Sequence, residues 1–291
     1  MFIELFNVIS PVFFIALLGY FWVKRGYEFP MDFVTRVNMN VGAPCLIFVG
    51  ILNLGQDLSS MTTFMIASMV AIIILLIAVI IFVFICGLPK RGYIIALSSS
   101  NCGNMGIPLS FFAFGELGMS YAVAFFTVGA FFQYTVSLLI SHGSMKITSL
   151  LRLSLIWGIL AALFFILADI MPPVWLMNTT ELLSGVAIPL MLLALGASLA
   201  KLKIVKLGKI MTIGTLKMAI GIAIGLLAAQ LFNLEGVERN VLILQMSMPV
   251  AVFSYLLAAK YNRNPDEVAS LIFTTTLISF ITVPLLLIFL F

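Results

Sequence analysis

Asn101-Cys102-Gly103-Asn104-Met105-Gly106-Ile107-Pro108 stands in the middle of an apolar run. A second apolar run is interrupted by Gln245-Met246-Ser247-Met248-Pro249, and Pro249 follows Asn101 by 148 residues. Lipid offers no hydrogen bonds to an opened backbone. Glycine, proline and amide side chains at membrane depth therefore make sense only around a cavity. Two such interruptions at matching places in two halves of a chain point to the substrate site of a secondary transporter.

The rest of the composition supports a membrane setting. The 291 residues are 63% hydrophobic and 9% charged, and the mean hydropathy is +1.24. A soluble domain of this size needs far more charge on its surface. The first segment carries Glu4, lacks a preceding basic region and has no small-residue cleavage site, so it reads as a retained helix. Cys45, Cys86 and Cys102 lie in apolar segments and read as packed side chains, not as a disulfide framework. His142 is the single histidine and sits at an expected helix end. With no His/Cys cluster, neither a metal site nor a cofactor is expected.

Crossing about 30 Å of hydrocarbon takes roughly 20 apolar residues. Ten segments meet that need: 3–23, 32–54, 61–87, 92–113, 119–141, 151–170, 179–200, 208–232, 237–259 and 267–290. In that arrangement every one of the 15 Lys and Arg falls on one side, except Arg239 on the other and Lys217 within a segment. Basic loops stay cytoplasmic. Both termini are accordingly expected outside an inner (plasma) membrane crossed many times, and the net charge of +4 is a topology signal, not a nucleic-acid footprint.

The halves 1–143 and 149–291 can be overlaid. Val41-Gly42-Ala43-Pro44 answers Val186-Ala187-Ile188-Pro189, Arg91 answers Arg239, and Phe126-Thr127 answers Phe273-Thr274, at offsets of 145, 148 and 147. Five segments per half is odd, so the second half must run inverted through the membrane. The expected fold is all-α, with two inverted five-helix repeats and broken segments 4 and 9 crossing.

Each candidate site residue also has a plainer reading. Gly103 and Gly106 would let the backbone leave helical geometry, Pro108 would free the carbonyl of Asn104, and Asn101 and Asn104 would donate to substrate oxygens. The alternative is a kinked helix with packing glycines. Pro249 would free the carbonyl of Gln245, with Met248, Gln245, Ser247 and Ser254 around it, and half-helix N-termini there would favour an anion. Met105 completes the first stretch. Pro44 and Pro189 read first as bends, with a hinge as the alternative. Lys217 either snorkels to the cytoplasmic surface or partners an anion. Thr127, Gln133, Thr275 and Thr276 either back-bond their helices or serve as oxygen contacts for an anion or an ion.

All 11 acids (Glu4, Glu28, Asp32, Asp57, Glu116, Asp169, Glu181, Glu235, Glu238, Asp266, Glu267) fall near segment ends. That argues against an intramembrane aspartyl protease and against a proton carrier built on buried acids. No nucleophile–base set suggests an enzyme. The membrane potential drives an exported anion outward, by about 2.3 kcal/mol per charge per 100 mV. Uptake needs a coupled cation, Na+ or H+. A sodium-coupled symporter of the bile-acid type and a membrane sensor without turnover are the alternatives to an anion carrier.

Met105-Gly106-Ile107-Pro108 with Asn101, Met248-Pro249, Ala259-Lys260-Tyr261-Asn262, Asn264-Pro265-Asp266, and Thr275-Thr276 with Pro284 together resemble the auxin efflux carrier family. Its bacterial members include organic-acid permeases of the malonate/malate type. The likeness spans the chain. It departs at Ser100, where plant members have proline, and in the short loop between segments 5 and 6. The resemblance implies a core of segments 3–5 and 8–10 moving against a scaffold of segments 1–2 and 6–7, substrate at the crossover, and a homodimer through the scaffold.

Overall fold

The computed structural model describes residues 2–53, 58–142, 154–202, 205 and 207–291. Asp57, Lys146, Arg152, Lys203, Lys206 and the join between the expected halves lie outside the described residues, as do the side chains of Glu4 and His142.

Among the described residues the chain is helical, and the one pairing of extended backbone is an isolated antiparallel bridge between Ser100 and Val250. The helices are α1 (Phe2–Lys24), α2 (Met31–Val37), α3 (Ala43–Asn53), α4 (Leu58–Ile85), α5 (Lys90–Ser98), α6 (Ile107–Phe132), α7 (Leu138–His142), α8 (Ser154–Leu167), α9 (Val174–Lys201), α10 (Leu207–Leu231), α11 (Gly236–Ser247), α12 (Val252–Lys260) and α13 (Pro265–Leu290). Three π turns, Asn38–Gly42, Cys102–Gly106 and Gln133–Ser137, join α2 to α3, lead into α6, and join α6 to α7.

Local chemistry sets the ends. Glu235 and Glu238 form a capping box at the start of α11. Pro265 opens α13, where a missing N–H costs nothing. Asp169, Asn233, Asn262 and Asn264 take left-handed backbone in the turns, which short polar side chains tolerate.

Among the described residues seven helical runs are long and apolar enough to cross a membrane, and α8 is a shorter apolar helix. One of the seven, Cys102–Ile140, has 39 residues. A straight helix of that length measures about 58 Å, nearly twice the hydrocarbon thickness. It is not straight: Gly115, at φ 66° and ψ −158°, breaks it in a conformation open essentially only to glycine.

Packing sorts the helices into two groups. α1 lies along α9, and α3 packs on α8 and α9. α4, α5, α6, α10, α11, α12 and α13 pack on one another. The first group meets the second mainly where α1 and α3 touch α6, and where α9 touches the π turn Cys102–Gly106. The α1–α9 contact is backbone on backbone: a Cβ on Gly196 would stand 1.7 Å from the Ala16 carbonyl oxygen. Small residues permit this closeness, which is how membrane helices gain van der Waals contact without a hydrophobic drive between them.

Candidate functional site

Both interruptions singled out in the sequence unwind, and they unwind against each other. α5 ends at Ser98, and the chain is extended through Ser99 before re-entering helical turns at Cys102. α11 ends at Ser247, and α12 begins at Val252. Between them, the Asn101 N–H donates to the Pro249 carbonyl at 2.7 Å and the Ala251 N–H donates to the Ser99 carbonyl at 2.9 Å. The opened backbones thus satisfy part of each other's demand. Two half-helices end here and two begin. The site therefore gathers both negative and positive ends of helix dipoles.

The first unwinding falls elsewhere than Pro108 suggests, while the second includes Pro249. The first covers Ser99–Asn101, not the residues beside Pro108, because the π turn carries the chain past the proline. In that turn the Gly106 N–H donates to the Asn101 carbonyl at 3.1 Å. Pro108 then falls in the first turn of α6, where its missing N–H is harmless. Gly103 and Gly106 do not take left-handed backbone. Their lack of a Cβ serves close packing instead: an added Cβ would stand 2.8 Å from the Phe126 ring and 2.0 Å from Gln245 Oε1. The carbonyl of Gln245, expected to be freed by Pro249, accepts from the Met248 N–H at 3.3 Å.

Several side chains hold this crossing. The Val250 N–H donates to Thr275 Oγ1 at 3.1 Å, while the same hydroxyl donates to the Leu271 carbonyl at 2.7 Å. Gln245 Nε2 donates to Ser110 Oγ at 3.4 Å, and Gln245 is fully buried against the start of α6. Ser247 bonds back to the Leu244 carbonyl, and Thr276 to the Ile272 carbonyl. Met105 is buried, with the Ser279 hydroxyl 3.8 Å from its sulfur. Met248 and Pro249 are buried in the crossing itself.

Lys217 reaches the crossing from α10. It is ten residues inside that helix, about 15 Å along it. It is 2% exposed, so it does not snorkel to a surface. Its ammonium donates to Ser100 Oγ at 3.0 Å and to the Met248 carbonyl.

Some polar atoms at the crossing have no protein partner. They include Asn101 Nδ2, Ser99 Oγ, Ser254 Oγ and Gln245 Oε1, all on residues no more than 5% exposed. A small cavity touches Ser98, Ser99, Ser100 and Cys102, and is closed by Ile72, Phe125, Phe132 and Met246. It has about 20 Å³ of room for water centres, about one molecule's worth. Gln133 lines it, with Nε2 unpartnered. Asn104 is half-buried in the π turn that faces α9.

Other expected contacts lie elsewhere. Thr127 bonds back to the Val123 carbonyl and lines an apolar cleft beside α4 and α8. Pro44 follows the π turn Asn38–Gly42, and α9 runs unbroken through Pro189.

A larger cavity of about 480 Å³ lies between α1, α3 and α9 on one side and α6 on the other. Pro189, Ile188 and Leu46 line it together with Glu116 and Glu181. Glu181 lies two turns inside α9, deeper than its expected place at a segment end, because the helix starts at Val174. Sequence reasoning missed this cavity, the bridge at Ser100 and Val250, and the roles of Ser99 and Ser110. The run Ser98-Ser99-Ser100 was the available signal, since three hydroxyls in an apolar segment mark backbone in need of partners.

Two stretches of the chain, residues 5–150 and 143–287, match the family model described as membrane transport protein. The chain belongs to that family. It is the family of the auxin efflux carriers, and the chain is a multi-pass membrane transporter. A transporter of Methanocaldococcus jannaschii, named as uncharacterized, is 28% identical over 205 residues, which is 67% of this chain and 66% of that protein. One of Methanothermobacter thermautotrophicus, named likewise, is 26% identical over 296 aligned positions, covering 96% of each chain.

Proposed function

We propose that this transporter is a ten-segment inverted-repeat carrier that moves a small organic anion, a carboxylate, by alternating access at the crossover. The observation that carries the proposal is the buried pairing of Ser99–Asn101 with Met248–Ala251, which leaves Asn101 Nδ2 unpartnered and brings the Lys217 ammonium to the neighbouring Ser100 hydroxyl. Carboxylates are recognised by N–H donors and positive ends of helices, and the starts of the Cys102 turn and of α12 supply both. The substrate contacts are Asn101, Asn104, Ser254 and the backbone at the two helix starts. Gln245 and Thr275 hold the crossing in shape, while Ser247 and Thr276 bond back to their own helices.

The ten-segment reading takes the seven long runs with three additions. The break at Gly115 divides one run, α11 with α12 forms another segment, and α8 is the tenth. α1, α2, α3, α8 and α9 form the scaffold, and the remaining helices form the moving core. Beside the crossover the space holds about one water, while about 480 Å³ lies open between scaffold and core. The larger space is the route from one face of the membrane. Pro189, which lines that route, and Pro44, which faces α8 and α9 within the scaffold, are the candidate hinge positions. The protein resides in the cell (inner) membrane with both termini extracytoplasmic. The homodimer implied by the resemblance would pack through the outer faces of α8 and α9, where Trp157, Phe164, Trp175 and Leu182 are exposed.

The test is a thermal-unfolding screen of mono- and dicarboxylates on purified wild type and Asn101→Ala, followed by uptake into proteoliposomes. The expected outcome is a raised Tm with at least one acid in wild type, a smaller rise in Asn101→Ala, and flux of that acid. Equal stabilisation of both proteins removes Asn101 from the site. Stabilisation with no flux indicates a sensor.

A further inference from the structure

Among the described residues Lys217 is the one buried lysine, and its surroundings are unusual for an ammonium. Among the described residues it forms no pair with a carboxylate, and its hydrogen bonds go to a hydroxyl and a backbone carbonyl. The carbonyl belongs to Met248, the residue that caps the C-terminal end of α11. Ser100 stands two residues beyond the end of the other half-helix, after its cap Ser99. Both acceptors therefore sit at the negative ends of helix dipoles, where a cation is favoured. Carbonyls of unwound stretches and C-terminal ends of half-helices are also the groups with which carriers hold a coupling cation near the bilayer midplane. Here those oxygens are already engaged by a charge covalently attached to α10.

The geometry points to Lys217 as a tethered cation that occupies the coupling-ion slot at the crossover, so that this transporter binds its substrate without sodium. The inference rests on the carrier reading and goes further, because it selects among coupling modes and assigns the charge that a bound carboxylate neutralises. A free sodium ion directed to the same oxygens would meet a like charge within a few ångströms in a poorly screened interior. The lysine also explains how two half-helix ends are buried together: its ammonium satisfies a carbonyl that neither helix can satisfy. Close packing holds α10 in place to deliver it. A Cβ on Gly221, one turn beyond Lys217, would stand 2.2 Å from the Met246 carbonyl oxygen, so the two backbones touch there.

The experiment compares Tm in sodium chloride with Tm in N-methyl-D-glucamine chloride at equal ionic strength, for wild type and Lys217→Ala, each with and without ethylammonium. Wild type is expected to melt at the same temperature in both salts. Lys217→Ala is expected to melt several degrees lower in the large cation and to recover part of the loss with sodium or ethylammonium. A sodium-specific rise in wild type overturns the inference, and so does a Lys217→Ala protein that melts like wild type or that neither small cation restores. If the variant does not fold, the wild-type comparison alone decides. Running the acid screen in both salts separates the two claims. An acid that stabilises only with sodium overturns the tethered cation and leaves the carrier standing. Failure of every acid removes the proposed substrate class, and the salt comparison still reads the slot.

Discussion

Two adjacent threonines in α13 have the same size and burial but different tasks. Thr275 Oγ1 receives the N–H of Val250, which lies in the unwound stretch and has no helical acceptor. Thr276 Oγ1 only bonds back to the Ile272 carbonyl, which the helix already uses. A hydroxyl removed from the first leaves a buried donor without a partner, a loss of about 1–3 kcal/mol. Removing the second leaves no orphan, and its cost stays within about 0.5 kcal/mol. Thr275→Val is therefore expected to lower Tm by several degrees, Thr275→Ser to retain it, and Thr276→Val to leave it nearly unchanged. Differential scanning fluorimetry of the three variants checks this. Equal melting of the two valine variants would show that Thr275 does not support the crossing.

At the scale of elements the decisive feature is the turn at Gly115, since without it Cys102–Ile140 is one rod too long for the bilayer. No atom lies within 4 Å of the position of a Cβ there, so the cost of a side chain is wholly one of backbone conformation. Gly115→Ala is expected to lose about 1–3 kcal/mol, whereas Leu117→Ala, two residues on and 47% exposed, is expected to melt like wild type. The comparison also explains what could be read in the sequence. Apolar runs bounded by charge gave the ends of α1, α10 and α13 to within two residues, since desolvating a charge is costly enough to mark the boundary. The two unwound stretches were legible because Gly, Pro and Asn interrupt apolar runs for few other reasons. The exact place of unwinding was not, because a π turn moves the break from Pro108 back to Ser99. Nor was the contact of Ser100 with Val250, or of Lys217 with Met248, since no local pattern records which distant backbone will lie opposite.

For the whole molecule the question is which face lies inside. Contacts gather the helix ends into two sets. The Lys201 ammonium reaches the Phe29 carbonyl at 3.5 Å, and Gly92 lies against the Arg263 carbonyl. On the other face, Asn240 Nδ2 donates to the Leu290 carbonyl at 3.0 Å, and the rings of Phe114 and Phe291 are 5.8 Å apart. In the proposed ten-segment path Lys24, Arg25, Lys90, Arg91, Lys201, Lys260 and Arg263 fall with the first set, and among the described basic residues Arg239 alone falls with the second. Positive loops resist translocation, so the proposed topology puts the first face in the cytoplasm. On that topology Cys86, exposed at the end of α4 just before Lys90, is expected inside, and Leu117, just past the Gly115 break, outside. A membrane-impermeant maleimide is expected to leave Cys86 of the wild type unlabelled in intact cells and to label it after permeabilisation. In a Cys86→Ser background, Leu117→Cys is expected to label in intact cells. Labelling of both from outside is incompatible with an odd number of crossings between residues 86 and 117. It would mean that the stretch around Asn101 enters and leaves the bilayer by the same face, and that the ten-segment path is wrong.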